Sequence, residues 1–112
     1  MKKIEAIIRK SKFDDVKRAL QQIEVNFFSY WDVTGVGNET LGQQYRGISY
    51  STSDIQRRYL VIVVSDGFLE PTIKVLLDTA STGNVGDGKI FVSDMIEAYR
   101  IRTKEKGSAA IN

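Results

Sequence analysis

The sequence predicts an α+β fold with the element order β-α-β-β-α-β. Three observations carry this. Tyr59-Leu60-Val61-Ile62-Val63-Val64 is a continuous, largely β-branched apolar run suited to a central strand. Two stretches, around 16–23 and 73–80, repeat apolar residues at helical spacing. Short apolar runs at 4–8 and 90–92 supply strands near either end of the chain.

Taken in order, Ile4-Glu5-Ala6-Ile7-Ile8 is a first strand, apolar enough to be buried. Ser11-Lys12-Phe13-Asp14 resembles a weak capping box, with Asp standing at its fourth position. The helix behind it places Val16, Ala19, Leu20 and Ile23 on one face. Residues 27–36 are β-like: Phe27, Phe28, Tyr30, Trp31, Val33 and Val36 with few helix formers. The run at 59–64 is the third strand. A second helix spans about 68–81, with Ile73, Leu76, Leu77 and Ala80 facing the sheet. Pro71 fits only in its first turn, where backbone N–H groups have no intrahelical partner. Residues 89–92 form a fourth strand, and 98–101 are suited to a short fifth one. This is the split βαβ order of a ferredoxin-like fold. A polar, glycine-bearing segment between Gly35 and Asp54 joins strands two and three. Adjacent antiparallel strands need only a few linking residues, so a segment of this length is expected to be functional or disordered. The tail, 104–112, is polar and rich in small residues, and its end is expected to be mobile.

The 112 residues fit one domain, 1–112. A net charge of +2 is too small for nucleic-acid binding by bulk electrostatics. RNA-binding domains of this topology stack bases on aromatics of the central strands, whereas the run at 59–64 has one, Tyr59. The chain has no cysteine and no histidine, which removes thiolate sites, disulfides and the commonest general base. No apolar run near Met1 is long enough for a signal core or a membrane span, so the expectation is a cytoplasmic protein without membrane insertion.

The richest chemistry lies in Thr82-Gly83-Asn84-Val85-Gly86-Asp87-Gly88-Lys89. Glycines let backbone N–H groups curl around an anion, and the lysine adds a formal charge. The spacing is not that of a Walker A loop. In isolation such a stretch is also an ordinary turn. Arg100 and Arg102, two apart on an expected strand, share one face and suit phosphate oxygens, although a salt-bridged strand end reads the same way. No intrachain carboxylate is evident for them. Gly35-Val36-Gly37 offers further backbone donors, or a hairpin that needs positive φ.

Over nearly its full length the chain resembles the PII signal-transduction proteins, the trimeric nitrogen-regulatory family. The matching stretches are Met1-Lys2-Lys3-Ile4-Glu5-Ala6-Ile7-Ile8-Arg9, Gly35-Val36-Gly37, Tyr45-Arg46-Gly47, 82–92 and Arg100-Ile101-Arg102-Thr103. The resemblance implies a homotrimer of ferredoxin-like subunits with ATP or ADP in each cleft between neighbours. It makes 36–54 an exposed, target-docking T-loop, 82–89 the phosphate cradle and 98–104 the arginine segment. Gly86, Asp87, Gly88 and Lys89 would hold phosphates from one subunit, with Gly35, Gly37 and Asn38 beside them. Arg100 and Arg102 would reach them across the interface, and Ser29 would lie near the adenine.

The resemblance further implies an ammonium transporter or a nitrogen-metabolism enzyme as partner, with recruitment to the inner membrane face through a transporter. Arg46 is the implied contact at the loop tip. Tyr50 matches a tyrosine uridylylated in some members; the plainer reading is an ordinary tyrosine on a target-docking loop. The family carries an arginine and a glutamine after the second glycine, where this chain has Asn38 and Glu39. That glutamine and a basic residue, here Arg57, help to hold magnesium and 2-oxoglutarate. A carboxylate at Glu39 would repel the dianion by about 4 kcal/mol at about 4 Å and an effective dielectric of about 20. Magnesium held by Glu39 would offset part of that. The expectation is a weakened or lost 2-oxoglutarate response. The role is regulatory rather than enzymatic; the alternatives are a PII-like sensor of another small molecule and a slow ATP phosphohydrolase using Asp87 or Glu39 to orient water.

Overall fold

A computed structural model describes residues 1–36 and 55–111. Strands β1 (Lys2–Ile8), β2 (Ser29–Gly35), β3 (Ile55–Val64) and β4 (Lys89–Asp94) form one sheet in the order β2-β3-β1-β4. Every neighbouring pair is antiparallel, with Ile4 opposite Ile62 and Val92, and Ser29 opposite Val61. Helices α1 (Phe13–Gln22) and α2 (Leu69–Ala80) supply the two crossovers. This is the expected ferredoxin-like α+β arrangement.

Alternation decides where the core lies. Ile4, Ala6 and Ile8 of β1 and Leu60, Ile62 and Val64 of β3 are buried, and they pack in one cluster with Val16, Leu20 and Leu76 of the helices. Successive strand residues face opposite ways, so Glu5, Ile7, Tyr59, Val61 and Val63 lie on the other face. It is the face opposite the one on which α1 and α2 pack. Trp31 stacks on Tyr59 there, ring centroids 4.8 Å apart and planes 15° from parallel, and the Tyr59 hydroxyl donates to the Glu5 carboxylate.

Several local expectations need correction. Ser11 does not cap α1: the chain enters through a 3-10 turn, Lys10–Lys12, in which the Lys12 N–H bonds the Arg9 carbonyl, and Lys12 is the N-cap with no side-chain bond. α2 buries Thr72, Leu76 and Ala80, whereas Leu77 is 58% exposed. The buried stripe runs at i, i+4, i+8, and Leu77, about 100° further round, falls outside it. Pro71 does fall in the first turn. The expected fifth strand is reduced to an isolated bridge between Tyr99 and Lys106 around a turn at 101–103. Within the tail, Gly107–Ala110 form a 3-10 turn held by an Arg100 nitrogen donating to the Ala109 carbonyl at 3.1 Å.

The end of α1 shows how sequence and backbone settle a turn. Glu24 has φ 65°, its N–H bonds the Gln21 carbonyl, and the Val25 N–H bonds the Leu20 carbonyl at 2.9 Å. This is a Schellman closure with a glutamate in the left-handed position, and Val25 returns to the core.

Candidate functional site

The cradle is built at the junction of α2, β4 and the end of β1. Three of its glycines have positive φ: Gly83 (84°), Gly86 (99°) and Gly88 (107°). Gly88 is the most constrained, since a Cβ there would lie 1.7 Å from the Ile7 carbonyl oxygen. The loop therefore passes against the β1 backbone at a distance that no side chain permits.

Asp87 organises the loop from within. Its carboxylate accepts the N–H of Thr82 at 2.8 Å, the N–H of Gly83 at 2.9 Å and the Thr82 hydroxyl, and it pairs with Arg9 Nε at 3.0 Å. The Thr82 hydroxyl first, then Arg9 and the backbone donors, hold this carboxyl well below the usual carboxylate range. Asp87, read from the sequence as a phosphate holder, turns its carboxylate into the loop. Arg9 also donates to the Val85 carbonyl at 2.9 Å. Arg57, assigned from the sequence to an effector, donates through Nε to the Gly86 carbonyl at 3.1 Å. Lys89, exposed, opens β4 opposite Ile7. A cavity of about 340 Å³ runs along this side, lined by Asp87, Gly88 and Lys89 together with Ile7, Leu77 and Ser81.

A second cluster lies elsewhere. Ser29, Arg100 and Arg102 line an open groove of about 750 Å³ with Phe27, Phe28 and Val61. Among the described residues, none that lines this groove also lines the cradle cavity. The shared strand face expected for the two arginines is replaced by a turn. Arg100 pairs with Glu105 at 3.0 Å, its N–H bonds the Glu105 carbonyl, and Lys104 closes the turn with φ 63°. Thus Arg100 has an intrachain carboxylate after all, five residues on in the chain. Arg102 is exposed on the turn. The aromatics of 27–31 divide three ways. Phe28 and Tyr30 pack with Phe13, Trp31 lies on the open face, and Phe27, 78% exposed, lines the groove rather than the core.

Gly35 ends β2 opposite Ile55, two residues before Arg57, and is extended rather than at positive φ. Gly37, Asn38, Glu39, Arg46 and Tyr50 lie outside the described residues. Among the described residues no three acidic side chains converge as a metal site, and no helix is long and apolar enough to cross a membrane. Arg9 was missed as a site residue by sequence reading; its partners lie 76 and 78 residues away.

A family model described as Nitrogen regulatory protein P-II matches residues 1–105. The chain belongs to this family. Among its P-II relatives, Nitrogen regulatory protein P-II 1 of Methanothermobacter thermautotrophicus is 44% identical over 99% of this chain and 97% of its own length. Nitrogen regulatory protein P-II of Bradyrhizobium diazoefficiens is 42% identical over 99% of this chain and all of its own. Nitrogen regulatory protein P-II 1 of Escherichia coli is 39% identical over the same shares. These P-II relatives are named as regulatory proteins, and membership gives the chain a place in nitrogen-regulatory signalling.

Proposed function

We propose that this P-II family member is a homotrimeric regulator that binds ATP or ADP between subunits and passes its nucleotide state to a partner through 36–54. The observation that carries this reading is the separation of two complementary half-sites on one chain. Asp87, Gly88 and Lys89 of the cradle line one cavity, while Ser29, Arg100 and Arg102 line a different one. One polyphosphate nucleotide engages both when a second copy brings its groove to the first copy's cradle. The sheet face opposite α1 and α2, with Trp31 and Phe91 each about half exposed, offers an apolar surface for that association. Threefold closure then gives three equivalent sites.

The partner is an ammonium transporter or a nitrogen-metabolism enzyme, contacted through Arg46, with Tyr50 available for modification. Nucleotide acts by binding one state of the docking segment better than another. Glu39 in place of the family's glutamine weakens the 2-oxoglutarate response, and magnesium held there offsets part of the repulsion. The deciding experiment is calorimetric titration with ATP and magnesium, with and without saturating 2-oxoglutarate. Micromolar ATP binding that 2-oxoglutarate leaves unchanged is expected. Strong enhancement by 2-oxoglutarate refutes the weakened response, and absence of nucleotide binding refutes the whole reading.

A further inference from the structure

Two arginines grip the cradle. Arg9, whose side chain is only 17% exposed, donates to the Asp87 carboxylate and to the Val85 carbonyl. Arg57 donates to the Gly86 carbonyl between them. Acceptors from three consecutive residues, 85, 86 and 87, therefore meet guanidinium groups. In a planar trans peptide the C=O and the following N–H point in opposite directions, and the described chain has no cis bond. Turning the Val85 and Gly86 carbonyls to the arginines directs the N–H groups of Gly86 and Asp87 the other way. The inward carboxylate of Asp87 is neutralised in the same contact, so it does not oppose an incoming anion.

We propose that Arg9 and Arg57 are positioning residues of the anion site: they draw the loop's acceptors to one side and set its amides as donors for a polyphosphate. This rests on the reading of 82–89 as a phosphate-binding element and adds the residues that give it its polarity. Arg9 is the principal one because its fork holds two of the loop's acceptors at once, through Nε and Nη2. A lysine has no planar fork with which to do so.

The test is calorimetry of the full chain with magnesium-ATP and, separately, with inorganic tripolyphosphate, using wild type, Arg9→Gln, Arg9→Lys and Arg57→Gln. Amide NMR follows the loop during each titration. Arg9→Gln is expected to weaken both ligands about tenfold or more, and Arg9→Lys to recover part of the loss. Arg57→Gln is expected to weaken them by a smaller factor. In wild type the Gly86 and Asp87 amides move on titration with tripolyphosphate, and in Arg9→Gln that movement is diminished. Unchanged affinity in folded Arg9→Gln and Arg57→Gln overturns the proposal. If Arg9→Gln does not fold, the wild-type spectra decide, since saturation without movement of the Gly86 and Asp87 amides overturns it equally. Wild type that binds neither ligand overturns the nucleotide reading itself, and the positioning role with it.

Discussion

Gly88 and Asp87 are neighbours under opposite constraints. Gly88 has no room for a methyl group: the Ile7 carbonyl occupies the Cβ position, and φ 107° disfavours any side chain. Gly88→Ala is expected to lower stability by about 2 kcal/mol or more, read by urea denaturation. Asp87 is a charge that the fold keeps ionised. Its folded carboxyl titrates below the unfolded one, so its contribution is complete above the ordinary carboxylate value, near ~4, and is lost as pH falls below it. Asp87→Asn is expected to flatten the acid limb of a stability-pH profile; an unchanged limb refutes this. The glycines and the aspartate were legible in the sequence as a special loop. Their division of labour was not, because a motif does not record which way a carboxylate points.

At the scale of elements, the two helices carry one cost each. Thr72 is wholly buried on α2, and its hydroxyl has no partner among the described residues. Thr72→Val removes that orphaned group at nearly constant shape and is expected to stabilise by about 1 kcal/mol, checked by thermal melting. Glu24 ends α1 in a left-handed conformation that glycine adopts without strain. Glu24→Gly is expected to stabilise by about 0.5–1 kcal/mol despite the added freedom of the unfolded chain. The two helices were readable from periodicity, since burial on one face imposes its spacing on the sequence, and the four strands from apolar, β-rich runs. The fifth strand was not: 98–101 has the composition of a strand, but the chain turns back at 101–103 and Arg100 bonds Glu105 instead.

For the whole molecule, the asymmetry of the sheet matters most. One face packs under α1 and α2; the other presents Trp31, Tyr59, Val61 and Phe91 around Glu5. In the proposed assembly this surface is covered by neighbouring subunits. Phe91→Asp sets a carboxylate opposite Glu5 on an exposed position. It is expected to reduce the wild-type species, at three times the chain mass, to monomer in sedimentation analysis with the circular dichroism retained. A wild-type monomer, or a variant that still assembles, counts against that use of the face.

The sequence by itself determined the element order, the buried face of α1, the glycine positions of the cradle and the family. These are local or periodic properties, and a linear pattern records them directly. Tertiary structure decided what the pattern leaves open: the inward turn of Asp87, the capture of Val85 and Gly86 carbonyls by Arg9 and Arg57, and the place of Ser29 beside Arg100 and Arg102. The arginine contacts on the cradle join residues 29 to 78 positions apart. They exist because the antiparallel ladder brings the end of β1 and the start of β3 beneath one loop, and no spacing within either strand encodes that meeting.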